Sequence, residues 1–532
     1  MTPRRTALTA AALVTPALLA AMLVAPTAAT ADPGVRLDFA GRYVADRTVP
    51  KAPGEPANED IRAEVAAISG DRMFVVNHQS IEIVNIKNIR KPMQLSLVDL
   101  SGYGGSITSV AAHDDLIAVA VPASVRTDPG TIVFLDREGA IVDEVTVGSL
   151  PDMVTFDDRG RRVVVANEGE PSGYGAGYVD PDGTVTIIDI AKSRGVLSFT
   201  PRTVTFVEGD VDVETENYVR TFPEAKSFAA DVEPEYITIN GDRAFVSLQE
   251  NNAIAEIDLS SGKVVAIRGL EFKDHSLSGN GLDASDKDNA INIANWPVYG
   301  MPMPDGIASF VASGKTYVIT ANEGDARDYP GLKEEKAVSA LTLDATAFPT
   351  ATELKMPEQL GRLTVSTNGA DTGMDGDTDR LFAFGTRSVS IWDANGGLVW
   401  DSGDTLERQT ALALPLYFNS NSTSSTADNR SDNKGPEPEG VAVGEVGGRL
   451  LAFVGLERIG GMAVFDVTNP AEATFVEYVT TRDFNAVATD GSTDSGPEVV
   501  TFLAADESPT RKPLVMVTNE VSGSVVFWTP KP

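Results

Sequence analysis

Acidic residues recur at two fixed places in a repeated unit of this sequence. The first acid follows a proline, as in Pro304-Asp305, and the second follows the next strand-like run, usually after asparagine, as in Asn322-Glu323. The two acids of each copy are 15 to 22 positions apart, which is the length of two antiparallel strands and their turn. The five pairs are Asp152 with Glu168, Glu235 with Glu250, Asp305 with Glu323, Glu439 with Glu457, and Glu498 with Glu520.

Such carboxylates point to cation binding if the fold brings them together. Crowded carboxylates repel one another, and their pKa values rise unless cations neutralise them. A ligand set of oxygens favours Ca²⁺ and is also compatible with Mg²⁺ or Mn²⁺. The amides of Asn167, Asn322 and Asn519 are further candidate ligands, and His78, which stands where later units carry glutamate, would admit iron. The alternative is that the acids only cap strands and hold neighbouring sheets together.

Two arginines lie just after the second acid of their units. Arg327 and Arg458 are the predicted catalytic residues, because an arginine beside a metal can hold an anionic substrate. The alternative for Arg327 is a structural ion pair with Asp325 or Asp328.

The composition excludes several classes of site. With 76 acidic and 43 basic residues, the formal charge of −33 argues against nucleic acid or an anionic membrane as a partner. The absence of cysteine excludes disulfides, thiolate metal sites and cysteine nucleophiles. Only three histidines are present, so few are available to form a multi-histidine zinc site or a Ser-His-Asp triad.

Residues 1–31 have the pattern of a secretory signal peptide. Arg4-Arg5 precede an apolar run over residues 8–24, and Ala29-Thr30-Ala31 is a small-residue cleavage site. The arginine pair leaves twin-arginine export open beside the general secretory route. No later apolar stretch reaches the roughly 18 residues of a membrane span. The sequence therefore predicts a secreted monomer without membrane insertion.

The predicted mature chain, residues 32–532, is interpreted as eight copies of a short-stranded unit. Strand-period runs rich in β-branched residues alternate with glycine turns, without sustained helical periodicity. This predicts an all-β fold, a single β-propeller of four-stranded blades, with eight blades favoured over seven. The sixth unit is predicted as a hairpin of residues 381–385 and 389–393. The last unit lacks a fourth strand, which residues 36–44 are predicted to supply, closing the ring.

Four long insertions interrupt the repeat, and loops of this length often have a function. They are residues 208–232, 273–299, 366–379 and 419–434. The insertions ahead of the fourth, fifth and seventh units lead directly into strands that carry the acids. These loops are therefore predicted to lie on the same face as the acids.

Several of these motifs also carry a family resemblance. They are Leu150-Pro151-Asp152-Met153, Asn322-Glu323-Gly324-Asp325-Ala326-Arg327, Pro436-Glu437-Pro438-Glu439-Gly440 and Thr518-Asn519-Glu520. Over essentially the whole mature chain, the sequence resembles the choice-of-anchor I family of secreted propellers, which includes surface glycoproteins and atypical alkaline phosphatases. More distantly, it is similar to calcium-dependent propeller alkaline phosphatases and phytase-like esterases.

The resemblance implies a metal-dependent phosphoester hydrolase that acts on a small phosphoester substrate. One alternative is a non-catalytic extracellular module in which Ca²⁺ only rigidifies the ring. A lactonase-type propeller is a third reading.

Overall fold

The computed structural model describes residues 34–51 and 62–532, so the predicted signal peptide at residues 1–31 lies outside the described residues. Helices are few and short in the described part: α1 is Phe228–Asp231, α2 is Ala351–Leu354 and α3 is Thr405–Ala413. Single 3₁₀ turns occur at Glu208–Asp210, Glu216–Tyr218, Val338–Ala340, Pro470–Glu472 and Ala488–Asp490. None of these described helices has the length and apolar character needed to cross a bilayer.

Short β-strands make up most of the described chain. The first is β1, Arg36–Val44. Sheet 1 contains β2 Arg62–Ser69, β3 Arg72–Asn77, β4 Ser80–Asn85 and β5 Met93–Asp99. Sheet 2 contains β6 Ser109–His113, β7 Leu116–Val121, β8 Pro129–Asp136 and β9 Ile141–Ser149. Sheet 3 contains β10 Pro151–Phe156, β11 Arg162–Asn167, β12 Thr184–Ser193 and β13 Val196–Thr205. Sheet 4 contains β14 Pro234–Asn240, β15 Arg243–Leu248, β16 Ala253–Asp258 and β17 Lys263–Gly269.

The next part of the chain forms one regular sheet and one irregular sheet. Its strands are β18 Lys273–Asp274, β19 Tyr299–Met301, β20 Ile307–Ala312, β21 Lys315–Ala321, β22 Asp328–Tyr329, β23 Leu332–Lys333, β24 Glu335–Ala337, β25 Thr364–Ser366, β26 Phe382–Phe384, β27 Val389–Asp393 and β28 Leu398–Asp401. Sheet 5 has the order β20-β21-β27-β28. The insert sheet has the order β18-β19-β26-β25-β24, and β22 and β23 form a separate hairpin.

Two further regular sheets complete the described chain. Sheet 6 contains β29 Pro438–Val446, β30 Arg449–Leu456, β31 Met462–Asp466 and β32 Thr474–Val479. Sheet 7 contains β33 Pro497–Leu503, β34 Leu514–Asn519 and β35 Ser524–Lys531, with β1 as its fourth strand. All strand pairs within sheets 1 to 7 are antiparallel.

The predicted sixth hairpin is wrong. Strand β27 pairs with β21 and becomes the third strand of sheet 5, whereas β26 pairs with β19 in the insert sheet. The described residues therefore form seven four-stranded antiparallel sheets rather than eight. The prediction failed because it paired strands that are adjacent in sequence, while sheet 5 takes its third strand from beyond a long excursion of the chain.

The predicted pairing of residues 36–44 with the last strand is confirmed. Strand β1 pairs antiparallel with β35, with Arg36 opposite Lys531 and Val44 opposite Ser524. One bulge between Phe39 and Gly41 interrupts the register. The outer edge of sheet 7 is thus supplied by the N-terminal strand.

The first strands of the seven sheets lie side by side. Each of β2, β6, β10, β14, β20 and β29 contacts the first strand of the next sheet, and β33 contacts β2. Hydrogen bonds join neighbours: the Ser247 hydroxyl donates to the Asp305 carbonyl at 2.9 Å, and the Thr518 hydroxyl donates to the Glu64 carbonyl at 2.6 Å. A Cβ on Gly440 would lie 2.2 Å from the Glu498 carbonyl oxygen. Glycine is therefore required where β29 meets β33.

The hydrophobic core lies between neighbouring sheets. Between sheets 3 and 4, for example, Val164 and Ile187 pack with Val246 and Ile257, and all four side chains are buried. Strands buried on both faces read as continuous apolar runs, and the second and third strands of the sheets have this character. This packing fixes the position of the first strands, which carry the acids.

Candidate metal centre

β-bulges orient the first acid of most pairs. In sheet 3 the register shifts between Pro151 and Met153, which leaves Asp152 outside the regular ladder. Corresponding shifts follow Pro234, Pro438 and Pro497. A bulge breaks the alternation of side chains and re-aims the bulged residue. The Pro-acid motif is therefore the local signal for a carboxylate that leaves the face of its sheet.

The structure brings eight of the predicted acids into three groups. In each group, one ligand oxygen per residue lies within 4.8 Å of the others. The groups are Asp152 with Glu168 and Glu235, Asp305 with Glu439 and Glu498, and Glu323 with Glu439 and Glu457. Of the two remaining acids, Glu250 lines the pocket described below, and the charge of Glu520 adds to burial in raising the pKa of Glu498. The convergence expected from the repeat is thus present.

Seven of the ten acids line a pocket of about 480 Å³, which we call the acidic pocket; they are Asp152, Glu168, Glu235, Glu250, Asp305, Glu323 and Glu498. Its lining also includes Glu64, Asp325, Asp328 and Glu335, which the pair pattern did not identify. Glu64 had a weak signal in the sequence, because it opens the first strand of its unit. The register of sheet 1 shifts around it as it does around Asp152, but no proline precedes it.

The largest charge effects on Asp305, Glu439 and Glu498 come from other carboxylates. The Asp305 residue is 8% exposed and Glu439 is 5% exposed. Burial raises the pKa of Asp305 to about 7, and burial followed by the charges of Glu323 and Glu498 raises that of Glu439 well above its ordinary value. When both groups are ionised, Oδ1 of Asp305 and Oε2 of Glu439 have no hydrogen-bond donor among the described residues. Such buried charge requires a cation or a proton.

The group of Asp152, Glu168 and Glu235 has one arginine at its edge. Burial raises the pKa of Asp152 to about 7, although the charge of Arg126 acts in the opposite direction. Arg126 is 2.8 Å from a carboxylate oxygen of Glu170, and its side chain is 64% exposed. Because Glu170 lines the acidic pocket, the exposed guanidinium of Arg126 lies at the edge of that pocket.

In the third group, the protein's own cations pair with Glu323 and Glu457. The Lys434 ammonium lies 2.5 Å from an oxygen of Glu323, and the Arg458 guanidinium lies 2.6 Å from an oxygen of Glu457. Both also contact Glu437. Although burial opposes them, Lys434 and Arg458 lower the pKa of Glu437 to about 2. This group is therefore stabilised as an ion-pair network.

The predicted catalytic residue Arg327 is buried and tied to carboxylates outside the acidic pocket. Its Nη1 lies 3.1 Å from Oδ1 of Asp231 and 3.4 Å from Oε1 of Glu233. The alternative partners considered from the sequence, Asp325 and Asp328, are not the ones it contacts. Because its side chain is fully buried, we expect Arg327 to stabilise the fold rather than to touch a substrate.

Replacing Arg327 by lysine is expected to lower the free energy of unfolding by about 3–5 kcal/mol, because two buried carboxylates lose a planar, multiply bonded partner. Urea unfolding followed by fluorescence measures this. The matched control is Arg243→Lys, since Arg243 is 42% exposed in its ion pairs and its replacement should cost less than about 1 kcal/mol. If the Arg327→Lys protein were as stable as the wild type but had lost a catalytic activity, the result would indicate that Arg327 contacts the substrate.

The amides of Asn167 and Asn322, which the sequence indicated as candidate cation ligands, are engaged within the protein. The Asn167 amide nitrogen donates to Thr184 and Thr186 hydroxyls at 3.1 and 3.0 Å, and its oxygen accepts from the Gly148 backbone. The Asn322 amide is bonded in the same manner to side chains of its own sheet. These amides brace the ends of the second strands and so position the glutamates that follow.

Known proteins share sequence with much of this chain. The sequence profile of the choice-of-anchor I domain matches residues 64–470. A mesenchyme-specific cell surface glycoprotein of Strongylocentrotus purpuratus is 30% identical over 280 residues, which are 46% of this chain and 36% of that protein. Gigasin-3a of Magallana gigas is 33% identical over 182 residues, which are 32% of this chain and 64% of that protein. The match thus spans less than two thirds of either relative.

Among solved structures, the hydrazine synthase of Kuenenia stuttgartiensis aligns over 89% of this chain and 97% of that chain, with 14% identity and a TM-score of 0.45. The profile match is more informative, because it extends from the first strand of sheet 1 into sheet 6. On that match, the protein belongs to the choice-of-anchor I domain family.

Proposed function

We propose that this protein is an extracellular phosphoester hydrolase that depends on divalent cations and acts on small phosphomonoesters. The observation that carries the proposal is the group of Asp305, Glu439 and Glu498. Its carboxylates are surrounded by further carboxylates, and two of their buried oxygens have no donor among the described residues. A relative named as a cell surface glycoprotein supports the extracellular location.

We also propose that sheets 1 to 7 are the blades of a seven-bladed β-propeller. The successive contacts of the first strands and the pairing of β1 with β35 support this arrangement. In a propeller the first strand of each blade lines the central channel. The first acids would then share one mouth because of the symmetry of the blades.

The donor set fits a hard cation. Carboxylate oxygens are the ligands of Ca²⁺, and the flexible geometry of Ca²⁺ suits groups contributed by several sheets. Mg²⁺, Mn²⁺ and iron remain compatible with the same oxygens. The two groups best suited to hold cations are Asp305 with Glu439 and Glu498, and Asp152 with Glu168 and Glu235.

The side chains around the pocket would have different roles in binding a phosphoester. Without cations, a pocket lined by carboxylates repels a phosphate group. When bound, divalent cations act as Lewis acids on phosphoryl oxygens. The exposed guanidinium of Arg126 is placed to hold a phosphoryl oxygen at the edge of the pocket. Arg458 holds Glu457 in position, whereas Arg327 is paired with Asp231 and Glu233 outside the pocket.

Hydrolysis of p-nitrophenyl phosphate tests the proposal. The purified protein is expected to release p-nitrophenol, to lose this activity in chelator, and to regain it when Ca²⁺, Mn²⁺ or iron is supplied in turn. Elemental analysis of protein purified without added metal identifies the ion. A protein that binds the ion yet shows no chelator-sensitive release with any of them would contradict the enzymatic proposal.

A second candidate function is a non-catalytic extracellular module stiffened by Ca²⁺. The ion pairs of Lys434 and Arg458 favour it, because they show that part of the acidic network serves stability. The triple replacement of Glu168, Glu323 and Glu520 by glutamine separates the two functions. An enzyme should lose turnover, whereas a module should chiefly show a lower unfolding temperature.

A further inference from the structure

A second cavity lies directly beneath the acidic pocket. This cavity, which we call the central channel, has a volume of about 590 Å³. Consecutive residues of the same strands line the two cavities: Glu64, Asp152 and Glu498 line the acidic pocket, and Val65, Met153 and Val499 line the central channel. The two cavities are therefore stacked along the first strands of the sheets.

Tyr236 is the one residue, within the described chain, that belongs to the lining of both cavities. It lies in the bulge after Pro234, directly after the ring acid Glu235. The corresponding residues after Asp152, Glu439 and Glu498 are Met153, Gly440 and Val499, none of which is aromatic. A tyrosine at this position is long enough to extend across the space that the smaller residues leave open.

Backbone bonds and packing hold Tyr236 in place. Its backbone N–H donates to the Ser247 hydroxyl at 2.9 Å, and that hydroxyl donates to the Asp305 carbonyl at 2.9 Å. Its ring packs against a buried cluster that includes Phe245, Ile307 and Trp392. The side chain is thus anchored by sheets 4 and 5 together.

The hydroxyl end of Tyr236 lies among acids from several sheets. Burial, and then the charges of Asp305, Glu498, Asp152 and Glu64, raise the pKa of Tyr236 well above its ordinary value. These four acids come from sheets 5, 7, 3 and 1, whereas Tyr236 comes from sheet 4. The side chain therefore reaches towards the centre of the group of first strands.

We propose that Tyr236 closes the inner end of the acidic pocket, so that cations and ligands enter and leave from the loop face alone. This inference rests on the proposed function, since it concerns access to the same cation sites. The loop face is the side bounded by Asp325, Asp328 and Tyr329. Removal of the tyrosine ring would join the two cavities into one continuous passage.

Because the chain contains no cysteine, a single introduced cysteine can be labelled specifically in a test of this proposal. The protein is loaded with Tb³⁺ as a Ca²⁺ probe, mixed with excess chelator, and the decay of directly excited Tb³⁺ emission gives the release rate. The variants are Tyr236→Ala, the milder Tyr236→Leu, and Tyr236→Phe as the control that keeps the ring. Ala112, which lines the central channel, is changed to cysteine in each background and coupled to a bulky maleimide that blocks the channel.

Loss of the ring is expected to speed Tb³⁺ release at least about 10-fold, and the maleimide at position 112 should return the rate to within about 2-fold of the wild type. Tyr236→Phe should release Tb³⁺ as slowly as the wild type. If Tyr236→Ala and Tyr236→Leu release at the wild-type rate, or if blocking the channel fails to slow them, the inference about Tyr236 is overturned while the cation site stands. If the wild type binds no Tb³⁺, the proposed cation site fails, and the inference fails with it.

Discussion

Removal of bound cations is expected to make the unfolding temperature fall as the pH rises from about 5 to about 8, by roughly 5–10 °C. The folded-state pKa of Asp305 and that of Asp152 are both raised to about 7, whereas the unfolded chain releases these protons near pH 4. The folded protein therefore holds more protons than the unfolded chain between these pH values. Stability present below the unfolded pKa is lost as the pH rises through the folded pKa.

Millimolar Ca²⁺ should abolish this decline, because a cation replaces the protons and binds best when the carboxylates are ionised. Differential scanning calorimetry across the pH range, with chelator and with Ca²⁺, measures both curves. The gap between the curves should widen with pH. Two parallel curves would show that the buried acids are neutralised without an ion.

Replacing Asp305 by asparagine, or Glu439 by glutamine, is expected to weaken cation binding at least about 100-fold and to remove the chelator-sensitive hydrolysis. The reason is that each change removes a carboxylate that would contact the ion directly. In chelator, where no cation is bound, the same changes should instead stabilise the protein. There, loss of one buried negative charge relieves repulsion and raises the unfolding temperature at alkaline pH. This reversal of sign distinguishes a cation ligand from an acid that only supports the fold.

The control for both changes is Glu445→Gln, which alters an exposed residue of β29, the strand that carries Glu439. Isothermal titration with Ca²⁺ and calorimetric unfolding give the two quantities, and the control should match the wild type in both. If Asp305→Asn binds Ca²⁺ as tightly as the wild type, the ion is held elsewhere.

The repeated acid pairs could be predicted from the sequence because their signal is local. Proline followed by an acid marks the bulge, and the spacing to the second acid is the length of one hairpin. The pairing of β1 with β35 could also be predicted, since the last unit lacked a strand and the first had one to spare. Glu64 was identified less clearly because its bulge has no proline.

The remaining features depend on contacts between residues far apart in the chain. The third strand of sheet 5 comes after the insert sheet, and nothing in the run Val389–Asp393 shows that its partner is β21 rather than the preceding strand. Lys434 lies in the predicted insertion 419–434, and only the folded chain shows that it neutralises Glu323. The partners of Arg327 are likewise distant in sequence, so its burial could not be read from the motif.

The side-by-side placement of β2 and β33 bears on biosynthesis. Glu64 and Glu498 lie on these two strands, and the charge of Glu64 adds to burial in raising the pKa of Glu498. The two residues can meet only after the final strands have left the ribosome. Closing so long a loop is slow, and the contacts that stabilise the closed loop form only afterwards. A nascent chain thus lacks this part of the pocket, and an ion that used Glu498 as a ligand could bind only after the last strands had folded.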